Sequence, residues 1–193
     1  MTDAHRLKIQ LRNTLRQRRR SLSPSAQRGA AQSLLHSISE LPTWTQARRI
    51  ALYLAADGEI DTRPLEQHAR SLGKQLFLPA INADNSLRFL SWQADDTLYT
   101  NRYNIPEPPA TATCCPAAEL DIIFLPLVGW DLHGRRLGMG GGFYDRTLSG
   151  IAAPLRVGLA YDIQQTEAVP QDSWDIVLDF IATDTALYRC QEN

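Results

Sequence analysis

Bounded apolar runs alternate along this chain with helical stretches of ten to fifteen residues. That alternation implies βαβ units, hence an α/β fold: a three-layer, open, mainly parallel sheet with helices on both faces. A glycine-rich turn directly after the strongest apolar run (122–128) points the same way, since such sheets carry their working loops beyond the carboxyl ends of the strands. The length of 193 residues, 44% of them hydrophobic and 21% charged, suits a single domain over 1–193 with one continuous core.

In chain order, Leu7, Leu11 and Leu15 recur at i, i+4, i+8 and predict an amphipathic first helix packed on the body. Ser23-Pro24 reads as an N-cap with proline at the first helical position, and Leu34, Ile38 and Leu41 as the buried stripe that follows. IALYL (50–54) is a buried strand. Thr62, Pro64, Leu65, Ala69 and Leu72 describe a helix stopped by Gly73. QLFL (75–78) before Pro79 is a second strand, and LRFLSW (87–92) a half-exposed third. Residues 101–118, rich in Pro, Ala and Thr, read as a surface loop containing the doublet Cys114-Cys115 as an inert pair. Then come a strand at 122–128, the glycine loop, a helix to about Leu148, and strands at 155–160 and 176–181. The loops after Leu54, Val128 and Ala160 all leave carboxyl ends of strands and are expected to meet in space.

The formal net charge of −1 hides an asymmetry. Residues 1–20 hold seven basic side chains against one acidic; the remainder holds 13 basic and 20 acidic. A basic arm suits nucleic acid, a transit peptide or a polyanionic ligand. Lys8 and Arg12 lie four apart on one helical face, whereas Arg18, Arg19 and Arg20 read as a solvated charged face. No nucleic-acid motif accompanies the arm, and no apolar run has the length to span a bilayer. No signal-peptide pattern opens the chain, and three cysteines form no disulfide framework, so a reducing cytoplasmic setting is expected. Four scattered histidines give no zinc spacing.

Five glycines (Gly134, Gly138, Gly140, Gly141 and Gly142) fall within nine residues, beside Arg135 and Arg136 and ahead of Tyr144, Asp145 and Arg146. A strand that empties into a Gly-rich, cation-flanked loop and then a helix offers backbone N–H groups to an anion, most simply phosphate. The loop is no Walker A motif, for no Gly-Lys-Ser/Thr follows, and G-x-G-x-G is not the dinucleotide fingerprint. Asp145 reads either as a magnesium ligand or as a first-turn acid facing the helix dipole. Asp175 is a metal ligand or part of a surface turn, and Glu59 a ligand-facing carboxylate or a solvated loop acid. A different ATP- or sugar-phosphate-binding enzyme on a related scaffold stays open on these residues alone.

Taken together, these segments resemble the 5-formyltetrahydrofolate cyclo-ligase (methenyltetrahydrofolate synthetase) family, bacterial type. The resemblance rests on Pro126-Leu127-Val128, Asp131, Gly134 and RLGMGGGFYDR (136–146). It extends to Lys8-x-x-x-Arg12, Leu54, Glu59, Ile105-Pro106-Glu107-Pro108, Asp175 and Asp179, in order over nearly the full length. It implies a Rossmann-like cyclo-ligase domain with a basic N-terminal helix. The implied activity is MgATP-dependent conversion of 5-formyltetrahydrofolate to 5,10-methenyltetrahydrofolate, ADP and phosphate, by phosphorylation of the formyl oxygen and ring closure by N10. By the same resemblance Lys8, Arg12, Arg136, Gly138, Met139, Gly140, Gly141, Gly142 and Phe143 contact ATP. Asp145 and Asp175 ligate magnesium, Leu54 and Glu59 hold the folate, and Arg136 and Tyr144 are the catalytic candidates. Small-molecule partners only, no nucleic acid or membrane, and a monomer are expected. Eukaryotic members carry basic residues where Met139 and Gly141 stand, a deficit that Arg135 or Arg146 would offset.

Overall fold

The computed structural model describes residues 3–190. Helix α1 (Asp3–Arg20) is followed by α2 (Pro24–Ser39), whose start is set as expected: Ser23 Oγ accepts from the Ala26 amide at 3.2 Å, with Pro24 in the first turn. Then come β1 (Arg49–Ala51), α3 (Arg63–Ser71), β2 (Gln75–Ile81) and β3 (Leu87–Ser91). A hairpin β4 (Tyr99–Thr100) and β5 (Pro106–Glu107) precedes the edge strand β6 (Cys114–Cys115) and β7 (Ile122–Pro126). A second hairpin, β8 (Gly129–Trp130) and β9 (Arg136–Leu137), leads to α4 (Phe143–Leu148), β10 (Leu155–Leu159), β11 (Phe180–Ala182) and β12 (Leu187–Arg189).

The main sheet has the order β12-β11-β10-β7-β1-β2-β3-β6. Its five central strands, from β11 to β2, are mutually parallel, and β12, β3 and β6 add antiparallel edges. From β1 the chain crosses through α3 to β2 on one side and later returns as β7 on the other. The order therefore reverses at β1/β7, and a crevice opens beyond their carboxyl ends.

Successive residues of β7 serve opposite cores, which explains its unbroken apolar run. Ile122 and Phe124 pack with Ile50, Leu52, Leu76 and Leu78 under Leu34 and Ile38 of α2 and Leu65 and Ala69 of α3. Ile123 and Leu125 pack with Ala51, Phe77 and Phe89 under Leu148 of α4, Trp130 and Leu178. Each fully buried Leu or Ile contributes roughly 1.5–3 kcal/mol, so the sheet centre is the best-anchored part of the chain. Helices thus cover both faces, although on the second face a six-residue helix shares the task with loops.

Several elements depart from expectation for identifiable reasons. Strand β1 pairs only through Ala51, and buried Leu52 and Tyr53 continue without a named ladder although the Leu52 amide still reaches Phe77 O at 3.0 Å. Strand β2 runs through Pro79 instead of stopping before it. Leu76 and Leu78 face their bonds to β3, so Pro79 turns its missing N–H towards the β1 side, beyond the point where β1 ends. On that side Glu107 Oε1 takes the Ile81 amide at 3.0 Å and Asn101 Nδ2 at 2.5 Å, tying the first hairpin to the sheet. The 101–118 stretch accordingly contains a hairpin arm and an edge strand. The segment 176–181 is strand only in its last part: Leu178 still donates its amide to Gly134 O outside the sheet, and the first bond to β10 is that of the Asp179 amide to Arg156 O.

Helix α1 shows the most instructive difference. Leu7 is exposed and Leu11 only half-buried; the buried stripe is Lys8, Leu15 and Arg19. Leu15 lies on Gly129 of β8 so closely that any Cβ there would collide with it, which is why this strand needs glycine. Among the described residues no helix is long and apolar enough to cross a membrane.

Candidate active site

The loops after β1, β7 and β10 do meet, and α1 is what they meet around. Leu127 O, just past β7, accepts from Arg19 Nη1 at 3.0 Å and from Gln164 Nε2 at 2.7 Å. Arg19 also reaches Asp57 in the β1 loop, and Tyr161 OH bonds Glu59 O at 3.4 Å. The crevice at the sheet's switch point is therefore lined by all three loops. The open depression at the opposite end of the sheet, bordered by Arg48, Arg49 and Lys74, has no such convergence. Lys74 Nζ there is already taken by Trp44 O and Ala47 O at 2.6 and 2.7 Å.

Lys8 and Arg12 point from one face of α1 into this crevice. Lys8 Nζ lies 2.6 Å from Asp172 Oδ2 and 2.8 Å from Asp175 Oδ2. Burial draws the Lys8 pKa down, but its bonds to Asp172 and then Asp175 outweigh that, so the ammonium is held above its ordinary value of 10.5. One turn on, Arg12 Nε donates to Gly138 O at 2.8 Å, and its guanidinium lies against Gly140. Gly140 adopts φ +98°, a conformation side chains rarely take, so glycine is needed here. Burial lowers the Arg12 pKa, opposed by Asp175, and it stays a cation at any working pH.

The glycine turn does not follow β7 directly, for the β8–β9 hairpin intervenes. Asp131 builds that hairpin's turn: fully buried, it accepts from the His133, Arg135 and Val169 amides at 3.0, 3.2 and 2.8 Å. Its place in the sequence signature is thus architectural, as is that of Asp179, which takes the Arg156 amide at 2.7 Å. Beyond β9 the backbone N–H groups of residues 138–145 meet no acceptor among the described residues. A run of unspent amides beside two cations is what an anion-binding turn requires. Met139 is exposed at 53%, and Phe143 packs edge-on to Tyr103 of the first hairpin at 5.7 Å. Arg146 donates to Asn85 O at 2.7 Å and Arg102 to Asn85 Oδ1 at 2.6 Å, so the hairpin tip leans over the start of α4.

Arg136, nearly buried, donates from both Nη atoms to Asp145 Oδ1 at 2.8 Å, and Nη1 also reaches Ile176 O at 3.2 Å. The Ile176 amide bonds the same Asp145 oxygen at 3.0 Å, which brings Asp175 beside Asp145. Asp175 Oδ2 takes the Asp172 amide at 2.9 Å as well as Lys8. Each carboxylate thus spends one oxygen on the protein, and among the described residues the other, Asp145 Oδ2 or Asp175 Oδ1, has no partner. No group of three or more His, Cys, Asp or Glu side chains forms a metal cage among the described residues. Two free carboxylate oxygens next to an anion cradle fit a hard cation that takes its remaining ligands from phosphate and water.

Across the crevice, Leu54 is half-buried at the edge of the helix-covered core. Glu59 Oε2 accepts from the Ala56 amide at 3.0 Å. Burial raises the Glu59 pKa above 4.5, while the Ala56 bond and Arg19 pull it back. Tyr144 faces Glu59 from α4; burial and then the Glu59 charge push its phenol well above 10, with Arg136 opposing, so it is a hydrogen-bond donor rather than a base.

Lys8, Arg12, Arg136, the 138–143 turn, Tyr144, Asp145 and Asp175, expected at one site, lie close together in the fold. Asp172, Gln164, Asp57 and Arg19 join them without having been expected there. For Arg19 the signal is present in the sequence: Lys8, Arg12, Leu15 and Arg19 sit at i, i+4, i+7, i+11, a single helical stripe.

Residues 4–184 match the sequence model of the 5-formyltetrahydrofolate cyclo-ligase family. The 5-formyltetrahydrofolate cyclo-ligase of Escherichia coli K12 is 37% identical over 180 residues, covering 91% of this chain and 99% of that protein. The Haemophilus influenzae enzyme of the same name is 40% identical over 174 residues, covering 88% and 93%. Among solved structures, the NMR structure of 5,10-methenyltetrahydrofolate synthetase from Aquifex aeolicus superposes with a TM-score of 0.84 at 31% identity, covering 97% of this chain and 94% of that one.

Proposed function

The chain belongs to the 5-formyltetrahydrofolate cyclo-ligase family, a family of enzymes, and on that premise we propose that it converts 5-formyltetrahydrofolate to 5,10-methenyltetrahydrofolate with consumption of MgATP. The observation that carries the reading is the turn of unspent amides at 138–145 flanked by Arg12 and Arg136, with Tyr144 at its end near enough to feel the Glu59 charge. An anion cradle and a folate-facing carboxylate are then within one cleft, as a reaction between a triphosphate and a folate requires.

The formyl group on N5 is an amide, whose carbon is a poor electrophile. Its oxygen attacks the γ-phosphorus and ADP departs, leaving the formyl oxygen phosphorylated; N10 then attacks the formyl carbon, the carbon–oxygen bond breaks with release of phosphate, N10 gives up its proton and the five-membered ring closes. Such phosphoryl transfer calls for positioning and charge neutralisation rather than for a protein nucleophile. Lys8, Arg12, Arg136, Gly138, Met139, Gly140, Gly141, Gly142 and Phe143 hold the nucleotide. Leu54 and Glu59 hold the folate against it, so that N10 faces the activated carbon. Tyr144, protonated at every working pH, donates towards the reacting oxygens, and Arg136 offsets their charge. Asp145 and Asp175 would hold magnesium through their free oxygens, and the ion would neutralise the phosphate tail. We place the reaction in the cytoplasm and assign it to a monomer acting on small molecules.

The direct test is to supply folinic acid with MgATP and follow methenyltetrahydrofolate absorbance together with ADP release. Nucleotide hydrolysis without new folate absorbance would refute the reading in favour of another phosphate-transferring enzyme.

A further inference from the structure

Asp57 takes no part in the chemistry just derived, yet α1 commits three guanidinium groups to it. Arg16 Nε and Arg19 Nη2 donate to Oδ2 at 2.8 and 2.7 Å, and Arg20 bonds Oδ1. The Asp57 carbonyl accepts from Arg19 Nε at 3.0 Å, while Arg19 Nη1 reaches Leu127 O. One guanidinium, 0% exposed, therefore ties the chain just beyond β1 to the chain just beyond β7, the two strands that bound the crevice. The backbone it holds is unfavourable by itself: Asp57 and Gly58 stand at φ 52° and 76° in succession, and a non-glycine residue stays there only where its surroundings over-determine it. Gly58 packs directly on Arg19 and Arg20. Glu59 comes next, and the Arg19 charge also favours its ionised form against burial.

We infer that Arg19 and Asp57 are positioning residues for the folate site: through the Asp57–Gly58 turn they fix where Glu59 stands relative to the phosphate turn, without touching either substrate. This rests on the cyclo-ligase reading of the crevice. The two ends of α1 are independently held, because Lys8 and Arg12 take their own partners in Asp172, Asp175 and Gly138. Loosening Asp57 thus acts on one substrate and not the other.

The test is steady-state kinetics of the full chain carrying Asp57→Asn, with folinate and MgATP varied in turn. The Michaelis constant for folinate is expected to rise about tenfold, as a small misplacement of a binding group produces, with that for ATP within about twofold. Arg19→Lys keeps the charge but cannot span both carbonyls, and it gives the same split should Asp57→Asn fail to fold. Ile38→Val, which thins the α2 core far from the crevice, lowers Tm and leaves both constants unchanged. The inference is overturned if both constants rise together, if kcat alone falls, or if nothing moves beyond the Tm loss of the Ile38→Val control. An inactive wild type defeats the functional reading itself, whereas an active wild type with an unsplit Asp57→Asn defeats this inference alone.

Discussion

The two ends of α1 use the same chemistry, cations against carboxylates, and differ in how completely it is satisfied. Near the carboxyl end Arg19 is sealed, with its three nitrogens all spent on Asp57 and Leu127. Towards the amino end Lys8 bridges Asp172 and Asp175, whose side chains remain 39% and 18% exposed, and free carboxylate oxygens and free amides surround it. Folded proteins pair their buried polar groups, so a saturated cluster reads as architecture and a concave, half-spent one as a place for a ligand. Residue type alone does not make this distinction; the count of unmet partners does.

Substitutions at the two ends should therefore separate stability from turnover. The largest effect expected is on folding: Arg19→Met leaves the Asp57 carbonyl without its donor, takes one of three cations from the Asp57 carboxylate and breaks the tie to Leu127 O, and should cost about 3 kcal/mol in urea unfolding. An effect under about 1 kcal/mol would mean that the sealed end is no more structural than a surface pair. Next, Asp145→Asn keeps an oxygen for the Ile176 amide but removes the charge that faces Arg136 and the proposed metal. Turnover should fall on the order of a hundredfold and recover in part at high magnesium, with a modest loss of Tm. A rate unchanged at limiting magnesium would end the ligand assignment.

Lys8→Met should raise the Michaelis constant for ATP by about tenfold and leave that for folinate alone, the mirror image of the Asp57→Asn pattern. The smallest effect sits between the two ends, at Glu59. Its folded pKa is raised, so its contribution to stability is fully present below 4.5 and is lost as pH rises through the folded value. Glu59→Gln, which can still accept from Ala56, is expected to raise Tm slightly at pH 7–8 and not at pH 4, while weakening folate binding. Melting curves at the two pH values, paired with folinate titrations, check both halves.

Much of the architecture could be read from local pattern. Ser23-Pro24 capped α2 as expected, Gly73 stopped α3, and the run at 122–126 became the central strand, because caps, turns and two-sided burial depend on neighbours a few residues away. Pro79 misled because a proline inside a strand is tolerated or not according to which neighbour its nitrogen faces, a matter of sheet order. The β8–β9 hairpin was hidden because its strands are only two residues long each, and the buried Asp131 that builds its turn is held in place by Val169, 38 residues away.

Fold class, the glycine turn and the cation pair on α1 were thus written in the chain itself, as short-range periodicity and glycine placement. Which face of α1 would be buried, and that Arg19 would be structural while Lys8 and Arg12 stay at the crevice, only the folded chain decided. Asp57, Asp172, Asp175 and Leu127 lie 37 to 167 positions away from their partners on α1, and no local pattern can report whether a charge will find its acceptors across such separations.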